Sequence, residues 1–273
     1  MSTEQPSLPL DESAEERALR ATVRAVAGRY GHEYFLATAR AGQSPTRLWS
    51  ELGTAGLLGV AIPEQYGGGG GTLRDLSLVT EELAASGIPL MLLALSPAVC
   101  ASILGQSGTL QQKTAWLPGM ASGAKILAFA ITEPDAGSNT HNIRAKGVRT
   151  ETGWRLDGTK CYVSHLDNAD GVLVVARTAE PDDMGRAALS LFLVDVGAPG
   201  LGRQAIPVEV TSPERQFMLT LDGVQVDDTA LVGTAHQGLA SLFHGLNPER
   251  IVSAALLCGI GRYALAGVSG LSE

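Results

Sequence analysis

The hydrophobic period changes twice along this chain, and that change constrains the fold more than any other feature. In AEERALRATVRAVAGRY (residues 14–30), apolar residues recur every three or four positions among arginines and glutamates, which is typical of a helix with one buried face. From about residue 126, short β-rich runs such as WRLDGTKCYVS and DGVLVVART take over, separated by turn residues. From about residue 237 the pattern is helical again.

This order predicts an α+β protein with segregated layers. We expect an N-terminal α-helical domain over residues 1–125, a middle β domain over 126–235 and a further helix over 236–273. At 273 residues, the chain is near the size at which a single core divides into domains. An apolar fraction of 45% with 18% charged residues is a composition that folds.

The net charge of -8 argues against a nucleic-acid partner, because no positive field attracts phosphate. It leaves room for a small phosphate-bearing ligand in one local pocket. The apolar stretch 88–104 is interrupted by two prolines and is shorter than the roughly 20 residues of a membrane span, so we predict a buried helix and no span. The cysteines Cys100, Cys161 and Cys258 are widely spaced without a CxxC pair, and the N-terminus is polar, which favours a reduced, cytoplasmic setting.

Three sequence patterns could be mistaken for functional motifs but are better explained by structure. GIGRYA (259–264) matches a dinucleotide fingerprint, but it lies inside an apolar helix, so we interpret its glycines as contacts for close helix packing. The five histidines lack metal-ligand spacing, so no metal site is predicted. The glycine run Gly67–Gly71 cannot hold regular structure cheaply and predicts a flexible surface loop.

Two blocks carry the candidate chemistry. In LAFAITEPDAGSNT (127–140), a strand leads into a loop whose backbone N–H groups near Gly137 and Ser138 could form a nest for an anion or a ring edge. In GTKCYVS, Tyr162 and Ser164 are two residues apart on a predicted strand, so both should face one side, where they could contact a flat ring. Taken singly, each block is more often an ordinary turn or strand.

Together, in this order, the blocks resemble the acyl-CoA dehydrogenase family. The resemblance also covers VAIPEQYGGGGGTLRDLSLVTEELA, LDGVQVDDTALVG and LNPERI. It implies a helical N-terminal domain, a β-barrel-like middle domain and the start of a C-terminal helical bundle, which together enclose FAD. It also implies an FAD-dependent oxidoreductase of fatty acid β-oxidation that acts on an acyl-CoA, passes electrons to a flavoprotein acceptor and forms a homo- or hetero-oligomer.

The resemblance assigns site residues by position. The residues expected to contact the cofactor are Phe129, Ile131, Thr132, Gly137, Ser138, Tyr162, Val163 and Ser164. The residues expected to contact the substrate are Ser138, Asn247, Arg250 and, on helices lining an acyl tunnel, Leu92, Leu95, Ser96 and Val99.

Glu249 is the candidate catalytic base, which would remove the α-proton of the thioester while the β-hydrogen leaves as hydride to flavin N5. The resemblance places the base of some family members just before an arginine at a helix start, which matches Glu249-Arg250. The pattern alone favours a structural role: Asn247 as N-cap, Pro248 as first helical residue and Glu249 in the first turn, where the helix dipole favours a carboxylate.

Two departures from the family pattern keep alternatives open. Only 24 residues follow Glu249 (273 − 249), so most of the helical bundle is missing from this sequence and an exposed apolar helix is expected. VTSPERQFMLTL stands where many relatives have Gly-x-Arg-x-Ser, which puts nearby substrate contacts in doubt. The alternatives are a catalytically incomplete fragment or partner subunit, and a flavin oxidase or monooxygenase on the same scaffold.

Overall fold

The computed structural model describes residues 12–180 and 188–269. Its N-terminal part is helical, and side-chain caps set several helix starts: Ser13 forms a capping box with Glu16, and Thr72 forms one with Asp75. A π-helix with an internal proline follows the fourth α-helix. The elements are α1 (Ala14–Ala27), α2 (Gly31–Arg40), α3 (Thr46–Thr54), α4 (Leu73–Ala85), the π-helix (Ala94–Ala101), α5 (Ser102–Ser107) and α6 (Leu110–Ser122).

The middle part is one sheet. Among the described residues it has eight strands in the order β6-β7-β3-β2-β4-β5-β8, and β1 pairs in parallel with β4. The strands are β1 (Leu127–Ala130), β2 (Lys146–Arg149), β3 (Gly153–Ser164), β4 (Gly171–Ala179), β5 (Ala188–Asp195), β6 (Leu201–Ile206), β7 (Gln216–Asp227) and β8 (Leu231–Val232). The first six residues of β4 are buried without alternation, because both faces of this strand are covered. Helices, sheet and C-terminal helix confirm the predicted α+β class.

The β3–β7 ladder contains an extra residue. Lys160 pairs with Leu219 and Val163 with Phe217, so three steps along β3 match two along β7. Within this bulge Tyr162 adopts a left-handed backbone, with φ of 56°. Simple alternation therefore does not hold between residues 160 and 163.

The last element, α7 (Gly238–Ser269), corrects the predicted helix start. Pro248 lies inside this helix, so Asn247 is not an N-cap and Glu249 is not in a first turn. Pro248 removes one backbone donor, yet the helix continues through it, and the preceding turn is packed tightly. A Cβ added to Gly245 would lie 2.8 Å from the side chain of Ile103.

Glycine and charge dock α7 onto α4. A Cβ added to Gly259 would lie 2.2 Å from the Glu81 carbonyl oxygen, whereas one added to Gly261 would meet no atom within 4 Å. Close helix packing, as predicted for GIGRYA, therefore holds at the first of these glycines. Arg262 Nη1 reaches Glu81 Oε1 at 2.9 Å and Glu82 Oε2 at 3.0 Å.

Glu82 is the centre of this charge network. Its carboxylate is 3% exposed and also contacts Arg20 at 2.8 Å and Arg24 at 2.9 Å. Burial would raise the pKa of Glu82, but hydrogen bonds from Arg24, Arg262 and Arg20 hold it below its usual value. Helices α1, α4 and α7 are thus joined through one carboxylate.

The outer side of α7 is apolar and open. Its exposed side chains include Ile251, Leu257, Leu265 and Val268. The predicted absence of a span rested on residues 88–104 alone. Within the described residues, α7 is the one helix long and apolar enough to cross a membrane, which by length and composition alone is weak evidence. Its other side packs against α4, α5 and the π-helix.

The glycine run forms a hydrogen-bonded loop. Gly69, Gly70 and Gly71 donate to the carbonyl oxygens of Gly59, Ile62 and Val60, each at 2.9 Å. A Cβ on Gly68 would lie 2.0 Å from the Ile62 carbonyl oxygen. The loop is at the surface, as predicted, but the glycines are needed for close backbone contact as well as for turning.

Candidate functional site

One cavity joins the two motif blocks to the last helix. It has a volume of about 190 Å³ and lies where β1, β3, the π-helix and α7 meet. Its lining residues are Leu95, Val99, Phe129, Ile131, Thr132, Cys161, Tyr162, Ser164, Leu246 and Glu249. All but Cys161 and Leu246 are residues that the sequence had singled out. Larger clefts exist, including one of about 570 Å³ at Arg144 and Arg177, but they do not combine these residues.

The sheet supplies one wall of the cavity. Phe129 is half-buried on β1, and the Thr132 carbonyl oxygen accepts a hydrogen bond of 2.9 Å from Cys161 N–H. Ser164 is buried, and its Oγ accepts from Gln216 Nε2 at 2.9 Å. The wall therefore offers an aromatic face and hydroxyl groups, and neighbouring strands fix the backbone of the residues that carry them.

Tyr162 and Ser164 do line the same cavity, as predicted, although the path between them differs. The bulge places both Cys161 and Tyr162 on the cavity, and Tyr162 is 61% exposed. The side chain of Val163 is fully buried in the core instead. Only the backbone of Val163 is therefore available to a ligand.

Helices supply the opposite wall. Leu95 and Val99 of the π-helix line the cavity, whereas Leu92 and Ser96 do not. The Ser96 hydroxyl is buried and accepts from Leu127 N–H at 3.2 Å, so it ties the π-helix to β1. Leu92 is packed in the core. Of the four helix residues predicted to line a tunnel, these two therefore do not line this cavity.

Glu249 reaches the cavity from α7. Its side chain is half-buried, and Oε1 accepts from the Ser253 hydroxyl at 3.4 Å. Asn247 and Arg250 are exposed outside the cavity, where Arg250 Nη1 donates to Asn247 Oδ1 at 3.0 Å. Of the three predicted residues on this helix, only the candidate base lines the site.

Gly137 and Ser138 lie outside the cavity. Both are exposed in the loop that follows the turn between Glu133 and Ala136. This position leaves them open to an extended part of a ligand. Their predicted contact with a cofactor stays a prediction.

Two buried charges in the motif blocks were missed. Lys160 is fully buried, and its Nζ lies 2.7 Å from Glu133 Oε1. Burial lowers the pKa of Lys160 to about 8, against the opposing effect of the Glu133 carboxylate. The signal was a charged residue within each block, TEP and GTK, which the alternation pattern had left unused.

A third buried charge lies in the segment that departs from the family pattern. Burial raises the pKa of Glu214, although the Ser212 hydroxyl donates to its carboxylate. Glu214 Oε1 also accepts from Leu92 N–H at 3.1 Å. The segment therefore connects the chain just before the π-helix to Gln216, the partner of Ser164. Among the described residues, no group of His, Cys, Asp and Glu could hold a metal ion.

Known proteins agree with this architecture. The N-terminal domain model of acyl-CoA dehydrogenase matches residues 13–124, and the middle domain model matches residues 128–222. Acyl-CoA dehydrogenase FadE12 of Mycobacterium tuberculosis is 48% identical over 254 residues, which are 93% of this chain and 65% of that protein. The chain thus spans just under two thirds of the length of this relative.

Solved structures show the same fold. Glutaryl-CoA dehydrogenase from Mycobacterium smegmatis superposes with a TM-score of 0.82 at 32% identity, over 92% of this chain and 63% of that one. A glutaryl-CoA dehydrogenase from the same organism in complex with FADH2 gives 0.84 at 27% identity, over 93% and 64%. With both domain models matched in order and the fold shared, the chain belongs to the acyl-CoA dehydrogenase family.

Proposed function

We propose that this chain carries the flavin-facing wall and the base of an FAD-dependent acyl-CoA dehydrogenase. The observation that carries the proposal is the cavity itself, because Thr132, Tyr162 and Ser164 line it together with Glu249. The FADH2 complex of a relative supports the choice of cofactor.

The residues present fit part of FAD. At about 190 Å³ the cavity is smaller than the roughly 300–1,000 Å³ of typical ligand pockets, so it can enclose one portion of the cofactor. Phe129 and Tyr162 offer apolar surface to a flat ring, and the hydroxyl groups of Thr132 and Ser164 can bond its polar edge. Exposed Ser138 is available to the extended remainder.

Glu249 is the proposed base. Its carboxylate takes the α-proton of an acyl-CoA thioester as that C–H bond breaks and a carbon–carbon double bond forms. FAD, when bound, supplies the redox step by accepting the β-hydrogen as hydride. Leu95, Val99 and Leu246 exclude water from the same cavity and give an acyl chain apolar contacts.

We place the chain in fatty acid β-oxidation in the cytoplasm, with electrons passing to a flavoprotein acceptor. The exposed apolar side chains of α7 support an oligomer, in which another chain covers them. They also favour a second candidate function, a partner subunit that needs another chain to complete its site.

A visible absorption spectrum tests the proposal. FAD is added to the purified chain, and acyl-CoA thioesters of several lengths follow. We expect flavin bands that bleach with a thioester. A thioester with two methyl groups on its α-carbon is the control, because it has no α-proton to lose and should not bleach them. A chain that retains no flavin would contradict the proposal and favour the partner subunit.

A further inference from the structure

A buried ion pair lies behind the sheet wall of the cavity. Lys160 is fully buried and Glu133 is 6% exposed, with 2.7 Å between Nζ and Oε1. Taking two charges out of water costs several kcal/mol per ion, and apolar residues often serve as well, so such a pair is poor evidence of stability alone. The pair can instead fix the orientation of the groups around it, since each of its hydrogen bonds requires a particular geometry.

The pair is bound to backbone on both sides. Lys160 Nζ donates to the Ile131 carbonyl oxygen at 3.0 Å. The Glu133 carboxylate accepts from Arg144 N–H at 2.7 Å and from Ala145 N–H at 3.0 Å. The pair therefore joins the end of β1, the segment before β2 and the middle of β3.

The chain neighbours of the pair line the cavity. Thr132 precedes Glu133, whereas Cys161 and Tyr162 follow Lys160. The extra residue of the β3 bulge falls between Lys160 and Val163, directly after the anchored lysine. Holding Lys160 thus holds the start of the bulge that presents Cys161 and Tyr162.

We propose that Lys160 and Glu133 are positioning residues that set the bulge of β3 and, through it, the flavin-facing wall. Their role toward flavin rests on the proposed function; their role in the bulge does not. The pair acts through its neighbours, because both side chains are buried behind the wall.

Alkylation of Cys161 by a small thiol reagent reports the wall when the limiting rates at high pH are compared, because burial and the charges of Glu133 and Lys160 also shift the pKa of the Cys161 thiol. Cys161 lines the cavity at 6% exposure, Cys100 is fully buried, and Cys258 is exposed. All measurements use the Cys258→Ser background, and mass spectrometry identifies the labelled residue. In the Lys160→Met variant, we expect the reagent to alkylate Cys161 about tenfold faster, because the loosened bulge opens locally more often.

Two further variants separate positioning from general stability. Gln112→Leu disturbs another buried polar group, whose amide donates to the Thr229 and Leu231 carbonyl oxygens and which neither lines the cavity nor belongs to the charge network that docks α7. It should lower the melting temperature without changing the alkylation rate of Cys161. The double variant Lys160→Met/Glu133→Gln leaves no unpaired buried charge, so it should regain stability while Cys161 still alkylates fast.

The outcomes are distinct. Slow alkylation in both Lys160 variants, or restored slow alkylation in the double variant, would overturn the positioning role. Equal acceleration by Gln112→Leu would overturn it too. FAD should protect Cys161 in the background protein, and less so in the double variant. Absence of protection in the background protein would count against flavin binding, whereas the alkylation rates without FAD still decide the role of the pair in the bulge.

Discussion

The two walls of the cavity are held in different ways. The sheet wall depends on strand pairing, on the hydrogen bond from Cys161 to Thr132 and on the buried pair of Lys160 and Glu133. The helical wall depends on the docking of α7, whose outer side chains, such as Leu257, are exposed. The sheet wall is therefore fixed by its own neighbours, whereas the α7 part of the helical wall is fixed along one side only.

This difference teaches where the site is vulnerable. The residues proposed to face flavin lie on the better-fixed wall, and Glu249, the proposed base, lies on the other. Loss of α7 docking should then remove proton abstraction before it removes flavin binding. Four variants test that division.

Glu249→Gln tests the proposed base on the helical wall. Loss of a general base should slow thioester-dependent bleaching of the flavin by about 10²–10⁴-fold. Flavin affinity should be unchanged, because Gln is close in size to Glu and the residues proposed to face flavin lie on other elements. Stopped-flow absorbance measures the rate, and unchanged bleaching would show that another group takes the proton.

Gly259→Ala tests the docking of α7. The added methyl group would lie 2.2 Å from the Glu81 carbonyl oxygen, so overpacking should cost about 1–3 kcal/mol of unfolding free energy. Gly261→Ala is the matched control: it has open space and should stabilise the helix by about 0.5–1 kcal/mol. Urea denaturation measures both, and equal effects would mean that α7 does not pack on α4 as described.

Ser164→Ala tests the sheet wall. It removes the hydroxyl that is proposed to bond the polar edge of the flavin, and a neutral hydrogen bond contributes about 1 kcal/mol, so FAD affinity should fall about fivefold. Ser77→Ala is the control, because the Ser77 hydroxyl bonds the Leu73 carbonyl oxygen within α4. A fluorescence titration with FAD compares them, and equal affinities would remove Ser164 from the flavin contacts.

His165→Asn should give the smallest effect, on the pH dependence of stability. Burial lowers the pKa of His165 despite nearby Asp167, and Arg215 adds to the lowering. As pH drops, His165 is therefore protonated in the unfolded chain before it is protonated in the folded chain. Its contribution to the free energy of unfolding falls as pH drops below about 6.5. Asn tolerates the left-handed backbone at residue 165, where φ is 61°, and should flatten this slope.

Melting temperatures between pH 5 and 8 measure the slope. His244→Asn is the control, because His244 is exposed and loses little contact with water on folding. Identical slopes in the parent chain and in His165→Asn would show that His165 does not contribute to the acid sensitivity.

Much of the site could be predicted because its residues are close together in the chain. Phe129 to Thr132 and Tyr162 to Ser164 each belong to one short block, so each block reaches the site as a unit. Leu92 and Ser96 lie outside this cavity because Leu92 packs in the core and the Ser96 hydroxyl bonds Leu127 N–H, and their predicted contact with a substrate stays a prediction.

The α+β order of elements and the two motif blocks follow from the sequence, because they depend on local periodicity and on residues adjacent in the chain. The proposal of Glu249 as base came from the resemblance to the family and stays a prediction. Tertiary structure alone decided that α7 continues through Pro248, that Lys160 pairs with Glu133 and that Gly259, but not Gly261, touches α4. Each of these results from contacts between residues distant in sequence, where packing and burial outweigh local preference.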